Sequence, residues 1–126
     1  MPLKTPVLVA IAKKYAKHPE FLGIDIDDIN KPGAVDDTLL HIVARTGAID
    51  DLRTLIAGGA SVNPIGDLGN TPLHQAAMNG QINTAEYLLK KLANPRIKNE
   101  FDETAFDVAI LGGHNELAAL IKKYMR

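Results

Sequence analysis

The chain lacks cysteine altogether, and serine occurs only once, at Ser61. Without cysteine there can be no disulfide, no thiolate metal site and no cysteine nucleophile. The single serine lies in a loop-like segment, and no acid–base partner for it is apparent from the sequence. Together with the arrangement of the histidines and carboxylates described below, these absences predict a protein that is not an enzyme. The missing cysteine favours a cytoplasmic location.

A strong charge of one sign and a long hydrophobic run are also missing. The formal net charge is −1 at pH 7, so no global field attracts nucleic acid or anionic lipid. The N-terminal apolar run from Pro6 to Ala12 is too short to span a bilayer, and its lysines follow rather than precede it. We therefore expect no nucleic-acid partner and no membrane partner. With 126 residues and 46% hydrophobic content, the chain can form one domain with a real core.

What the chain does have is a period. Thr5, Thr38, Thr71 and Thr104 stand 33 residues apart (38−5, 71−38 and 104−71), and much of the surrounding sequence repeats with them. A fixed period of this length is typical of a repeat array, in which stacked copies of one unit share a continuous core. The sequence therefore predicts a short solenoid.

The clearest copy runs from Gly69 to Leu92 and predicts a helix, a turn and a second helix. Thr71 is a good N-cap and Pro72 suits the first helical position. Gly80 supplies the left-handed residue that ends a helix. A second helix from about Asn83 to Lys91 has apolar residues at helical spacing. An extended loop then leads to the next copy.

The segment Thr71-Pro72-Leu73-His74-Gln75-Ala76 resembles the T-P-L-H-x-A signature of ankyrin repeats, and Gly59-Ala60-Ser61-Val62-Asn63 is similar to the G-A-D-V-N loop of that family. The chain thus looks like a small stand-alone ankyrin repeat protein. This implies an all-α solenoid of about four 33-residue helix-turn-helix repeats with hairpin-like finger loops. We expect one domain over 1–126, divided into a degenerate N-terminal capping repeat, two repeats and a C-terminal capping repeat: 1–33, 34–66, 67–99 and 100–126.

The first copy departs from the repeat pattern. Lys14 replaces the terminating glycine, and Pro19 falls where the second helix should be running, so that helix is expected to start late and to be short. The polar residues Lys13, Lys14, Tyr15 and Lys17 suit a solvent-tolerant capping repeat. In the last copy, Asp107 replaces the histidine of the signature.

Four histidines invite a metal or catalytic interpretation, which their spacing does not favour. No pair has the i, i+4 spacing of a helical metal site. His41 and His74 take the same place in consecutive copies, and the resemblance implies that they hydrogen-bond backbone across repeats. The loop carboxylates Asp25, Asp27 and Asp28 lack the glycine and terminal glutamate of a calcium loop. We expect no catalytic residues, no cofactor and no metal.

The remaining candidate is a binding surface. The resemblance implies a concave wall, built from the finger loops and the first helices, that binds a partner protein. Within it, Leu68, Met78, Phe101 and Leu111 would be exposed apolar groups near acids, as at the centres and rims of interfaces. The wall positions that resemblance transfers to this chain are Ala34, Val35, Asp37, Arg45, Thr46, Ile65, Asp67, Leu68, Asn70, Met78, Asn79, Lys98, Glu100, Phe101, Glu103 and Leu111.

The sequence thus predicts a non-catalytic, monomeric protein-binding module. Acids gather in the fingers and adjoining loops, which favours a partner with a basic surface. The alternative is an immunity or antitoxin protein that binds and neutralises a bacterial toxin enzyme, because small bacterial ankyrin proteins resemble this chain.

Overall fold

The computed structural model describes residues 2–126, and within that range it contains seven α-helices and no β-strand. An antiparallel bridge pairs Pro2 with Asp28. Two 3₁₀ turns lie over Pro19–Phe21 and Asp67–Gly69. The helices are α1 (Pro6–Tyr15), α2 (Leu39–Thr46), α3 (Ile49–Ala57), α4 (Pro72–Met78), α5 (Ile82–Lys90), α6 (Ala105–Leu111) and α7 (Asn115–Tyr124).

The helices form two layers. Helix α4 packs between α2 and α6, while α5 packs between α3 and α7, and each first helix also contacts the second helix of its own pair. The chain thus holds three consecutive helix pairs, preceded by α1, which packs on α3. This arrangement confirms the all-α solenoid predicted from the 33-residue period.

The repeating threonine begins each first helix as predicted. Its hydroxyl oxygen accepts a hydrogen bond from the backbone three residues later at Thr5, Thr71 and Thr104, over 3.2 to 3.3 Å. At Thr38 and Thr71 the backbone N–H also donates to Nδ1 of the histidine three residues later, over 3.0 and 3.1 Å. These bonds satisfy donors that a helix N-terminus otherwise leaves without partners.

The turn inside each pair is closed by a glycine with positive φ. Gly47, Gly80 and Gly113 have φ angles of 76°, 67° and 75°, which confirms the three predicted turns. A side chain is strained in this region of the backbone map, so the glycine is a steric requirement.

Alanine and leucine fill the space between the layers. Ala76 and Ala77 are fully buried where α4 contacts its neighbours, and Leu52, Leu55 and Leu88 are fully buried on the second layer. Small residues let the helix axes approach closely, and the leucines occupy the space between layers.

The start of the chain agrees with one prediction and corrects another. The short second helix at Pro19 is confirmed as the 3₁₀ turn over Pro19–Phe21. Tyr15, expected on a polar solvent-facing surface, is half-buried, and its hydroxyl donates to Asp51 of α3 over 2.8 Å. Lys14 contacts the same carboxylate at 2.9 Å. These polar residues therefore join the first repeat to the second.

Candidate functional site

Three tight loops precede α2, α4 and α6, and we name them finger 1 (33–37), finger 2 (66–70) and finger 3 (99–103). In each, the backbone N–H of the first residue donates to the carbonyl of the fifth, over 2.8 to 2.9 Å. No finger contains a β-strand. Each loop is therefore closed by its own backbone, which agrees with the expected hairpin-like fingers.

One apolar side chain projects from the middle of every finger. Val35, Leu68 and Phe101 are 47%, 47% and 63% exposed, and they lie 33 residues apart (68−35 and 101−68). We call these three residues the fingertip row. Their common position in the repeat means that the fold presents them side by side, one from each repeat.

Finger 1 is held by a carboxylate from outside the finger. Oε2 of Glu20 accepts hydrogen bonds from the backbone N–H groups of Val35, over 2.8 Å, and Asp37, over 3.1 Å. Glu20 is 8% exposed, and a Cβ at Gly33 would collide with its side chain. The glycine thus makes room for the acceptor that fixes the fingertip.

In finger 3 the corresponding backbone N–H groups donate to the side chain of the finger's own first residue. Oδ1 of Asn99 accepts from the backbone N–H groups of Phe101 and Glu103, over 2.9 and 3.0 Å. Its Nδ2 group donates to Oδ1 of Asn70, over 3.0 Å, which joins finger 3 to finger 2. Asn99 therefore does in finger 3 what Glu20 does in finger 1.

The first residue of finger 2 is Gly66, which has no side-chain acceptor, and the turn of this finger differs from those of fingers 1 and 3. Leu68 has a φ of 57°, a left-handed conformation that costs leucine about 1–2 kcal/mol. Finger 2 is held by one hydrogen bond to finger 1 and one to finger 3. Oδ1 of Asp37 accepts from the backbone N–H of Asp67 over 3.0 Å, and the carbonyl of Leu68 accepts from the N–H of Glu100 over 3.0 Å. The three fingers are therefore connected into one surface.

Sequence reasoning missed Glu20 and Asn99. A signal for Asn99 was present, because Gly33, Gly66 and Asn99 share one position of the repeat and only asparagine carries a side-chain oxygen there. Glu20 had no such signal, since it comes from the irregular first repeat.

Two residues that were predicted to line the wall are buried in the structure. Asp37 is 1% exposed and Asn70 is 4% exposed, so neither presents its side chain to a partner. Asp37 accepts from Nη2 of Arg45 over 2.7 Å as well as from finger 2, while Asn70 accepts from Asn99. The prediction that they line the exposed wall is wrong, because both side chains are used to hold the fingers.

Arg45, also predicted on the wall, is half-buried. Besides its ion pair with Asp37, its Nε donates to Oε1 of Gln75 on α4 over 3.0 Å. Its guanidinium group therefore joins the first-helix layer to finger 1 and retains an exposed portion.

His41 and His74 anchor the ends of fingers 2 and 3. Nε2 of His41 lies 2.9 Å from the carbonyl oxygen of Asn70, and Nε2 of His74 lies 2.9 Å from that of Glu103. Each Nδ1 accepts the backbone N–H of the preceding threonine, so each Nε2 carries the proton. Burial lowers the pKa of both imidazoles below their usual value. The predicted bonds from histidine to backbone across repeats are confirmed.

The other predicted positions are exposed or half-buried. Met78 is 46% exposed and Leu111 is 74% exposed, at the ends of α4 and α6. Exposed as well are Ala34, Thr46, Ile65, Asn79, Lys98 and Glu100, whereas Asp67 and Glu103 are half-buried. The structure thus brings an apolar row and two further apolar side chains to the finger-bearing layer.

The fingers carry charge of one sign. Their segments contain six carboxylates and no lysine or arginine: Asp36, Asp37, Asp67, Glu100, Asp102 and Glu103. Arg45 pairs with the buried Asp37, and Lys98 lies 3.4 Å from Asp102. Four acids in the fingers therefore have no ion pair with lysine or arginine in the described part of the chain.

Within residues 2–126 no three histidine, cysteine, aspartate or glutamate side chains form a group that could hold a metal ion. Over the same residues, no helix has the length and apolar character needed to cross a bilayer.

Comparison with known proteins independently identifies the ankyrin repeat family that the sequence resembles. The family model described as ankyrin repeats, in three copies, matches residues 8–99 and 40–125. SH3 and multiple ankyrin repeat domains protein 2 of Homo sapiens is 36% identical over 85 residues, which are 68% of this chain and 5% of that protein.

Two further relatives are similar to most of the chain. ARF GTPase-activating protein GIT2 of Homo sapiens is 41% identical over 80 residues, covering 63% of this chain and 10% of that protein. Putative E3 ubiquitin-protein ligase XBAT35 of Arabidopsis thaliana is 37% identical over 105 residues, covering 82% and 22%. The chain therefore spans less than a quarter of the length of each of these relatives.

Proposed function

This chain belongs to the ankyrin repeat family, whose repeats are protein-interaction modules, and on that premise we propose that it binds a partner protein, without catalysis, through its fingers and first-helix layer. The contact residues we propose are Val35, Arg45, Asp67, Leu68, Met78, Asn79, Glu100, Phe101, Glu103 and Leu111. Asp37 and Asn70 support this surface from beneath.

The observation that carries the proposal is the fingertip row. Three equivalent apolar side chains are exposed on loops whose backbone is held by Glu20, Asp37 and Asn99. A surface that is already ordered loses little conformational entropy on binding, so more of the contact energy appears as affinity. Exposed apolar groups on such loops are what an interface centre requires.

Charge supports a basic partner. Acids surround the fingertip row, and lysines such as Lys90 and Lys91 lie at the end of α5 in the other layer. Opposite charges speed the diffusional encounter and fix the orientation of binding, whereas apolar contacts supply most of the affinity. We also propose that the chain acts as a monomer in the cytoplasm.

The proposal can be tested by affinity capture with three baits. We expect the unchanged chain and the Lys90→Glu variant to recover the same partner, identified by mass spectrometry. A bait carrying Phe101→Ala and Leu111→Ala together should lose it, because both side chains are exposed and their removal leaves the core intact. Equal recovery by all three baits, or loss with Lys90→Glu alone, would place the interface elsewhere.

The same capture addresses the immunity alternative. If the partner is a toxic enzyme, its activity should fall when the chain is added and return with the double variant. An enzyme that stays fully active in the complex would exclude neutralisation.

A further inference from the structure

The fingertip row has a fixed spacing. Val35, Leu68 and Phe101 each lie four residues before the first residue of a first helix. These helices, α2, α4 and α6, pack side by side. Packed helices have axes about 8–10 Å apart. Neighbouring members of the row are therefore separated by roughly the same distance.

A groove with lining residues from all three fingers accompanies the row. Its apolar lining comes from Val35, Ile65 and Leu68, and its acidic lining from Asp36, Asp67 and Glu100. The apolar tips thus lie in one row along the direction in which the repeats stack, with carboxylates beside that row.

This spacing matches one backbone conformation of a ligand. A polyproline II helix rises 3.1 Å per residue with three residues per turn, so side chains three apart share an edge and lie about 9.3 Å apart. In a β-strand, side chains three apart point to opposite faces. An amphipathic α-helix presents apolar side chains at every turn, about 5.4 Å apart, which is about half the spacing of the tips.

Charge specifies the residues between the apolar ones. Asp67 and Glu100 share one position of the repeat and come just before the tip residue, while Asp36 and Asp102 share another and come just after it. A ligand whose apolar side chains meet the tips would place its intervening residues against these acids. Lysine or arginine there is electrostatically complementary.

Resting on the proposed function, we infer that the fingers bind an extended polyproline II segment of a partner, with apolar side chains at every third position and lysine or arginine between them. The segment lies across the three fingers, one apolar side chain on each tip. Its preformed conformation keeps the entropy cost of binding small.

Defined synthetic peptides test this inference by fluorescence anisotropy. The first, of about nine residues, repeats leucine, lysine and proline in that order. The second has the same composition with its leucines gathered at one end, and the third replaces each lysine by glutamate. We expect the first to bind at least about tenfold more tightly than either of the others.

Variants of the chain locate the binding. Phe101→Ala and Leu68→Ala should each weaken binding of the first peptide by about tenfold. Leu92→Ala, which also removes an exposed leucine but follows α5 in the other layer, should leave it unchanged. These three positions are exposed, so none of the substitutions disturbs the core.

Three results would overturn the inference: equal binding of the first two peptides, no effect of Phe101→Ala, or tighter binding by a helical peptide with leucine at every seventh residue. The partner recovered by affinity capture separates this failure from that of the proposed function. If that partner is lost with Phe101→Ala and Leu111→Ala while the first peptide fails to bind, only the extended segment is wrong. If the partner is still recovered by the bait that carries both substitutions, the proposed function fails too.

Discussion

Leu92 adopts a backbone conformation that leucine rarely takes. Its φ is 72°, its side chain is 84% exposed, and it occupies the position of Gly59, whose φ is 102° (92−33 is 59). Leucine is disfavoured there by about 1–2 kcal/mol, and glycine is not. Part of that difference is offset because glycine gives the unfolded chain more freedom.

We therefore expect Leu92→Gly to stabilise the protein by up to about 1 kcal/mol, with a rise in Tm of about 3 °C. Leu22→Gly is the matched control, because Leu22 is also exposed but has an ordinary φ of −58°. That substitution should destabilise by about 0.5–1 kcal/mol. Thermal unfolding of both variants measures the difference, and a loss of stability with Leu92→Gly would contradict the argument from backbone strain.

The two buried histidines predict a pH dependence of stability. Burial lowers the folded pKa of His41 and His74, so below about pH 6.5 the unfolded chain binds more protons than the folded one. The free energy of unfolding should therefore fall as the pH drops from about 7 to about 5. Urea unfolding at a series of pH values measures this slope.

A variant carrying His41→Gln and His74→Gln isolates the cause. It should be less stable at neutral pH, because the bonds to Asn70 and Glu103 are weakened, and it should lose most of the slope between about pH 5 and 7. A slope that survives in the double variant would mean that other groups are responsible.

At the scale of elements, the fingers depend on two side-chain acceptors that serve one purpose. Glu20 satisfies the N–H groups of Val35 and Asp37, and Asn99 satisfies those of Phe101 and Glu103. Leaving buried or half-buried donors without a partner costs about 1–3 kcal/mol. We expect Glu20→Ala and Asn99→Ala each to destabilise the protein within that range.

Amide hydrogen exchange by NMR gives the readout that distinguishes support of a finger from a general loss of stability. Glu20→Ala should speed exchange at Val35 and Asp37 and leave Phe101 and Glu103 as they were. Asn99→Ala should do the reverse. Glu20→Gln, which retains an acceptor oxygen, should largely preserve finger 1. Uniform acceleration in all fingers would refute the separate roles.

The helices were predictable from the sequence because their signals are local. Thr71 with Pro72 and the glycine at position 80 define the ends of α4 within a few residues, and the 33-residue period carries the same pattern to the other copies. The supports of the fingers were not predictable in this way. Glu20 reaches Val35 across 15 residues of irregular chain, and nothing in the sequence near finger 1 indicates that contact.

Burial of Asp37 and Asn70 shows the same limit. In the sequence both are polar residues of a loop, which favours exposure. In the structure their oxygens accept hydrogen bonds from neighbouring repeats, and stacking of those repeats covers them. Contacts between copies decide their role, and the sequence of one copy does not contain that information.

At the scale of the whole molecule, the two layers have different tasks. The layer of α3, α5 and α7 completes the core with fully buried residues such as Leu52, Leu88 and Ile121. The layer of α2, α4 and α6 carries the fingers, with the exposed fingertip row and the acids beside it. The proposed binding therefore uses one layer and leaves the other in solvent.

Hydrogen–deuterium exchange of the complex with the captured partner tests this division most directly. We predict slower exchange in fingers 1, 2 and 3 and at the C-terminal ends of α4 and α6, with α3, α5 and α7 unchanged, because only the finger-bearing layer is covered. Protection confined to α3, α5 and α7, with the fingers exchanging as in the free chain, would contradict the account.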